Sequence, residues 1–282
     1  MNGATQQVIL GLPPLCAEVQ AWANAVPTRP SNSYLYSLNT FVIGLKNAGI
    51  WQLLDRFWIF ATQFRDNAKI DIKSLSTLTE VPNGGTLTWT ANVGYKGDGV
   101  ASYLNLNFTP STQAVNFTLN NCCLGAYLSG NMTGTGQSQA LTGAEGSAGQ
   151  FSHISAGSTV NSLFTEINEA TSTSYNANYP NFSSTTKGYY YANRTANGQN
   201  KSIVYASNGV IIPPVNPTYT GTNNTTSLPN VSVYALAAND NGTLVYYNSG
   251  TLGIVFYGSG SISATTLYNL IQPFATSIGF AA

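Results

Sequence analysis

One histidine, His153, and ten carboxylates are the whole acid–base inventory of this 282-residue chain. A Ser–His–acid triad built on His153 would need a particular serine, and serines are so abundant that any match carries no information. A lone histidine in a strand-like stretch reads as a structural residue. The cysteines, Cys16, Cys122 and Cys123, cannot combine with one histidine into a Cys/His zinc set. No metal and no cofactor is therefore expected. Paired acids for glycoside hydrolysis could come from Asp55, Asp66, Asp71, Asp98, Glu145, Glu166, Glu169 or Asp240. Glu166 and Glu169 have the spacing of helix neighbours but lie in a strand-to-loop region. No strand-borne Glu-x-Asp-x-x-Glu set occurs, so no catalytic residue is assigned and the chain reads as a non-enzyme. The run Gly94-Tyr-Lys-Gly-Asp-Gly99 lacks the Gly-Lys-Ser/Thr ending of a phosphate loop and opens no helix.

Recognition chemistry is better represented. Tyr189, Tyr190 and Tyr191 could stack on sugar rings, since an amphipathic aromatic offers an apolar face and a polar tip. They are the candidate ligand-binding residues, although strand alternation places Tyr190 on the opposite face from its two neighbours.

Composition narrows the classes further. Charged residues make up 7% of the chain, ten basic against ten acidic, which is no footprint for nucleic acid. Aromatics at 12% argue against disorder. An odd cysteine number with one adjacent pair is no disulfide framework, so folding in a reducing cytosol is expected. The first residues have no basic region and too short an apolar run for a secretory signal, and no stretch approaches the ~20 apolar residues of a membrane span.

Elements able to position these residues follow in order. Residues 1–32 carry Val8, Ile9, Leu10, Leu15 and Trp22 between Pro13-Pro14, Pro27 and Pro30, with a short helix expected around Ala17–Ala25. This segment cannot make a core alone. It docks either on its own domain or on a neighbouring subunit as an anchoring arm, with those five apolar residues as candidate anchors. Ser31 or Ser33 caps a helix whose stripe is Leu35, Leu38, Phe41, Val42 and Leu45, and Gly49 ends it. Phe57–Ala61 is either a buried strand or the end of a second helix. The region 33–66 thus forms a helical lead-in, and 67–282 a β domain closing on a helix with Leu267, Leu270, Ile271, Phe274 and Ile278 on one face.

Within the β domain, Tyr103–Phe108 alternates and is bounded by Gly and Pro, the pattern of half-buried antiparallel strands. Further strands are expected at 151–154, 162–167, 187–192 and 201–205. Asn208-Gly209 marks a tight hairpin. Residues 231–237, 243–247 and 253–257 read as a meander through Asn239–Gly242 and Asn248–Gly250. Residues 130–149, small and nearly uncharged, read as a long mobile surface loop.

The ordered set Asn39-x-Phe-Val-x-Gly-Leu-Lys-x-Ala-Gly-Ile-Trp51, Leu54-Asp55, Phe60-Ala61, Gly94-Tyr-x-Gly-Asp-Gly99, Ser102-Tyr103-Leu104, Asn107-Phe-Thr-Pro-Ser111, Asn120 and Gly125-x-Tyr127 resembles a group of bacteriophage virion proteins, the crAss-like head fibre or capsid decoration type. The resemblance covers most of 35–127 and 251–282. It implies a mainly β fold, a concanavalin A-like β-sandwich or jelly roll with an N-terminal helical lead-in and a C-terminal helix. It further implies a virion surface role without catalytic residues, with other capsid or tail proteins as partners. A homo-oligomer, a trimer in the favoured form, and virion localisation after assembly in the host cytoplasm belong to the same expectation. The alternative it leaves open is a tail-associated receptor-binding or carbohydrate-binding protein that contacts a host glycan.

Overall fold

The computed structural model describes residues 14–133, 139–147, 150–156, 162–170, 175–178, 187–196, 199–212, 218–219 and 227–280. Two helices come first, α1 (Ala17–Ala25) and α2 (Asn32–Asn47). The Ser31 hydroxyl accepts the Tyr34 N–H at 3.3 Å to start α2, and Gly49, at φ +69°, turns the chain away after it. The strands of the first half are β1 (Leu54–Ile59), β2 (Thr79–Val81), β3 (Thr88–Thr90), β4 (Gly94–Lys96) and β5 (Tyr103–Asn105), followed by the single turn α3 (Pro110–Gln113). Then come β6 (Cys122–Gly130), β7 (Gln139–Gly146), β8 (Gln150–Ala156), β9 (Ser162–Glu169), β10 (Tyr175–Asn178), β11 (Gly188–Ala196), β12 (Gln199–Ser207), β13 (Val210–Ile212) and β14 (Thr218–Tyr219). The last strands are β15 (Tyr234–Ala235), β16 (Ala238–Asp240), β17 (Thr243–Val245) and β18 (Thr251–Gly258), and α4 (Ala264–Ile278) closes the described chain.

Two sheets form a sandwich. Sheet I runs β13-β12-β11-β6-β18-β4-β3, with β1 also on β18 and β14 on β12. Sheet II runs β10-β9-β8-β7-β15-β5-β2, with β16 on β7 and β17 on β16. The mainly β sandwich with helices at both ends is thus what the sequence pattern leads one to expect.

The central strands of sheet I, β6 and β18, are buried on both faces, which explains their near-continuous apolar character. From β18, Val255 and Tyr257 enter the core between the sheets, while Ile254 and Phe256 face the helices. From β6, Leu124, Ala126 and Leu128 point inward, and Cys123 and Tyr127 point to the helix side. Aromatic contacts join the layers: Phe41 of α2 stacks on Phe274 of α4 at 5.1 Å and tilts against Phe57 of β1 at 5.5 Å, and Phe57 stacks on its cross-strand neighbour Phe256 at 5.8 Å. Each such pair adds about 0.5–1.5 kcal/mol beyond the area it buries. Where β4 meets β18 only glycine fits. A Cβ on Gly94, already at φ +123°, would lie 1.9 Å from the Leu252 carbonyl oxygen.

Three expectations bear on the architecture. Of the two docking alternatives for the first segment, residues 14–32 take their own chain: Val19, Trp22, Ala23 and Val26 are buried, and the Trp22 indole donates to the Ile70 carbonyl at 3.1 Å. The second concerns 130–149. Gln139–Gly146 is a strand buried along its whole length, at the centre of sheet II, not surface loop. Its small residues hide the alternation and at the same time permit the packing: a Cβ on Gly143 would sit 2.1 Å from that of His153. The loop reading of 134–138 and 148–149 lies outside the described residues. Third, the meander does not form: β15 pairs with β5 and β7, and β17 pairs with β16 in a short hairpin. β18 crosses to sheet I because both its faces are apolar and need cover. The expected hairpin turns do form, with Asn208 and Gly209 at φ +52° and +79°, and Asn241 and Gly242 at +46° and +92°.

Candidate functional site

Tyr189, Tyr190 and Tyr191 are not a binding platform. Alternation places Tyr190 in the inter-sheet core and the other two under the helices, and all three are at most 1% exposed. Tyr191 donates its hydroxyl to the Ile262 carbonyl at 2.6 Å, and Tyr189 lies 5.3 Å from the Tyr268 ring. Burial pushes the phenols of Tyr189 and Tyr191 well up, so neither carries charge at any ordinary pH. Of the candidate anchors, Trp22 is spent inside the helix layer and Leu15 is half-buried against it. Val8, Ile9 and Leu10 lie outside the described residues.

Chemistry-bearing side chains gather instead on the outer face of sheet II, the face turned away from the helices. Ala144, Ile154, Leu163 and Ile167 point into the core from β7, β8 and β9, so the alternate residues of these strands point outward. Gly143 of β7 opposes His153 of β8, which opposes Glu166 of β9. Glu145 lies two residues along β7 on the same face. The result is a row across three strands, Glu145–His153–Glu166, whose ligand atoms all lie within 4.8 Å of one another. His153 Nδ1 is 3.0 Å from Glu145 Oε1 and 3.4 Å from Glu166 Oε2. All three side chains are buried.

Aromatic rings cover the row. The imidazole stacks on Phe164 at 5.1 Å and 20°, and Tyr246 lies tilted over it at 5.5 Å. Tyr246 holds this place at φ +54°, a conformation costly for a bulky residue. Burial raises its phenol pKa, and the nearby charges of Glu145, Glu166 and Asp240 raise it further. Toward the other edge of the same face, Tyr103 and Tyr234 pack with ring centres 4.3 Å apart, and Ser232 and Asn105 share a 2.6 Å hydrogen bond. Burial, then the hydrogen bond and charge of Tyr103, push the Tyr234 phenol up to about 12.

Sequence reasoning missed this row for a physical reason. Its members are eight and thirteen residues apart along the chain, and only the register of three paired strands brings them together. Searching for zinc ligands among cysteine and histidine alone passed over the carboxylates.

Three other acids, Asp55, Asp71 and Asp98, hold backbone. Asp55 accepts from the N–H groups of Val115 (3.2 Å), Asn116 (2.9 Å) and Phe117 (2.7 Å), pinning the segment after α3 to β1. Asp71 accepts from Phe57, Lys73 and Ser74; burial nevertheless holds its pKa above the usual carboxylate range. Asp98, within the glycine-rich run, accepts from Val100, Ala101, Ser102 and Thr86 at 2.8–3.0 Å. Burial alone would raise its pKa, but these four donors pull it well below the usual range. Glu80 pairs with Arg65 and Lys69 and accepts the Tyr95 hydroxyl. A groove of about 260 Å³ between α2 and α4, lined by Phe41, Leu270, Pro273 and Phe274 among others, contains no titratable side chain.

No protein-family model matches the chain, and no curated protein does. Solved structures do match. The sialidase of Trypanosoma rangeli superposes with a TM-score of 0.51 at 10% identity, over 94% of this chain and 38% of that one. Domain 4 of an extracellular arabinanase from Geobacillus stearothermophilus, solved with arabinotriose, gives 0.45 at 17% identity, over 78% and 98% of the two chains. A carbohydrate-binding domain of the Ruminococcus gnavus intramolecular trans-sialidase gives 0.39 at 15% identity, over 54% and 83%. At these identities the likeness is one of fold.

Proposed function

We propose that this protein is a non-enzymatic surface component of a phage particle, a head fibre or capsid decoration subunit that displays its sandwich for assembly and adhesion. The carrying observation is how the acids are used. Asp55, Asp71 and Asp98 each bind backbone N–H groups, and the two glutamates that approach each other both lie close to Nδ1 of His153, at 3.0 and 3.4 Å. In glycoside hydrolysis the space between paired acids belongs to the glycosidic bond and a water; here His153 occupies it. The neutral, Asn- and Thr-rich composition and the motif resemblance over 35–127 and 251–282 support the same reading. Helices cover one side of the sandwich, and sheet II turns its outer face away from them. Self-association, as a trimer in the favoured form, would set copies in an array on the particle.

Quantitative mass spectrometry of gradient-purified particles tests this. The chain should be present at a fixed multiple per particle and resist a high-salt wash; its loss in the wash, or its presence only in the soluble lysate, would overturn the proposal.

A second reading, host-glycan binding, is favoured by one observation: on the outer face of sheet II the half-buried Tyr103, packed on Tyr234 beside Asn105 and Ser232, combines an aromatic ring with hydrogen-bonding groups. A glycan array probed with the wild type and Tyr103→Ala would decide it. Signal lost in the variant supports this reading, and an array silent for both removes it.

A further inference from the structure

We infer that Glu145, His153 and Glu166 form a binding site for one divalent transition-metal cation of the zinc or manganese class, set in the outer face of sheet II. Two carboxylates and an imidazole are placed together out of water. The spacing of the imidazole nitrogen from each carboxylate is that of groups sharing an ion. Ligand atoms about 2.1 Å from one cation stand roughly 2.9–3.5 Å apart at tetrahedral to octahedral angles. The observed separations from His153 Nδ1 are 3.0 Å to Glu145 and 3.4 Å to Glu166.

Direction supplies a second, independent observation. At 3.0 Å, Nδ1 and Glu145 Oε1 are close enough for a hydrogen bond, yet neither atom makes one, although His153 is fully buried. A buried donor and acceptor at that distance normally align. Two lone pairs facing one cation need no such alignment. The fold also makes room for the arrangement: Gly143 opposes His153, and any side chain there would collide with its Cβ. One imidazole and two carboxylates suit a first-row divalent ion; they are too few oxygens for calcium, which takes six to eight. Tyr246, over the imidazole, shields the site from bulk water.

The test uses the full chain without a polyhistidine tag. Plasma mass spectrometry after chelator-free purification should find one zinc or manganese per chain. Treatment with EDTA should lower Tm, and adding back either ion at roughly a hundredfold over Kd should raise it by about 5–10 °C. Magnesium and calcium at the same concentration should not. Cobalt substitution should give a visible ligand-field absorption, a readout independent of any variant. Glu145→Gln keeps the shape and should weaken binding at least about tenfold, whereas Glu80→Gln, far from the row, should leave it unchanged. Sub-stoichiometric metal together with a Tm indifferent to EDTA and to both ions would overturn the inference. So would undiminished binding by folded Glu145→Gln, or a melting point that follows pH but no metal, which would make a proton the occupant.

Discussion

Replacing Asp55 by alanine measures what the buried acids do. Its carboxylate accepts from three consecutive backbone N–H groups, of which Phe117 N is fully buried and those of Val115 and Asn116 partly so. Losing a charged acceptor costs about 1.5–3 kcal/mol at the buried donor, and at the other two, which water can reach, about 0.5 each. The Asn116 side-chain amide loses a partner as well, at 3.2 Å, but keeps the Gln52 carbonyl at 3.0 Å. The sum is about 3 kcal/mol, and for a chain of this size a Tm lower by about 6 °C. Urea denaturation followed by tryptophan fluorescence should show the lower midpoint with an unchanged slope. Asp55→Asn, which retains one oxygen, should recover part of the loss. A change under about 0.5 kcal/mol, within the range of surface substitutions, would refute the view that this acid is a structural clamp and would return Asp55 to the candidates for chemistry.

Trp22→Ala should cost about 3–5 kcal/mol, because a fully buried indole and its hydrogen bond to Ile70 are removed from the helix layer; calorimetry of the purified variant checks it. Tyr189→Phe should be neutral or stabilising by up to about 1 kcal/mol, since its buried hydroxyl makes no hydrogen bond among the described residues; a thermal melt beside the wild type decides. The Asp98 carboxyl, with its pKa lowered in the fold, contributes stability that is fully present above its unfolded value of about 3.9 and is lost as pH falls toward the folded value. Asp98→Asn should therefore flatten the decline of stability in urea titrations run below about pH 4. Gly143→Ala should part β7 from β8 and unfold or grossly destabilise sheet II, seen as lost near-ultraviolet circular dichroism.

Much of the scaffold was legible from local signals. Ala17–Ala25, the Ser31 cap, the stripe of α4 and the two Asn-Gly turns depend on residues close in sequence, and each forms where its pattern lies. What was not legible depends on partners far along the chain. The alternation of Tyr189–Tyr191 was readable, but that both faces would be covered follows only from the helices packing on sheet I. β7 was invisible because Ala140, Gly143, Ala144 and Gly146 carry too little side chain to show a period, and its buried Glu145 resembled an isolated surface charge. Trp22 looked like an anchor for another subunit because nothing local reveals Ile70 as its partner.

Cryo-electron microscopy of intact particles bears most directly on the central claim, that this sandwich is a display element without a reacting centre. Symmetric density fitted by the two sheets, with the helix layer toward the shell and the Tyr103–Tyr246 face toward solvent, is the predicted result. Particles complete without such density, joined to a soluble protein that cleaves a glycan, would contradict it.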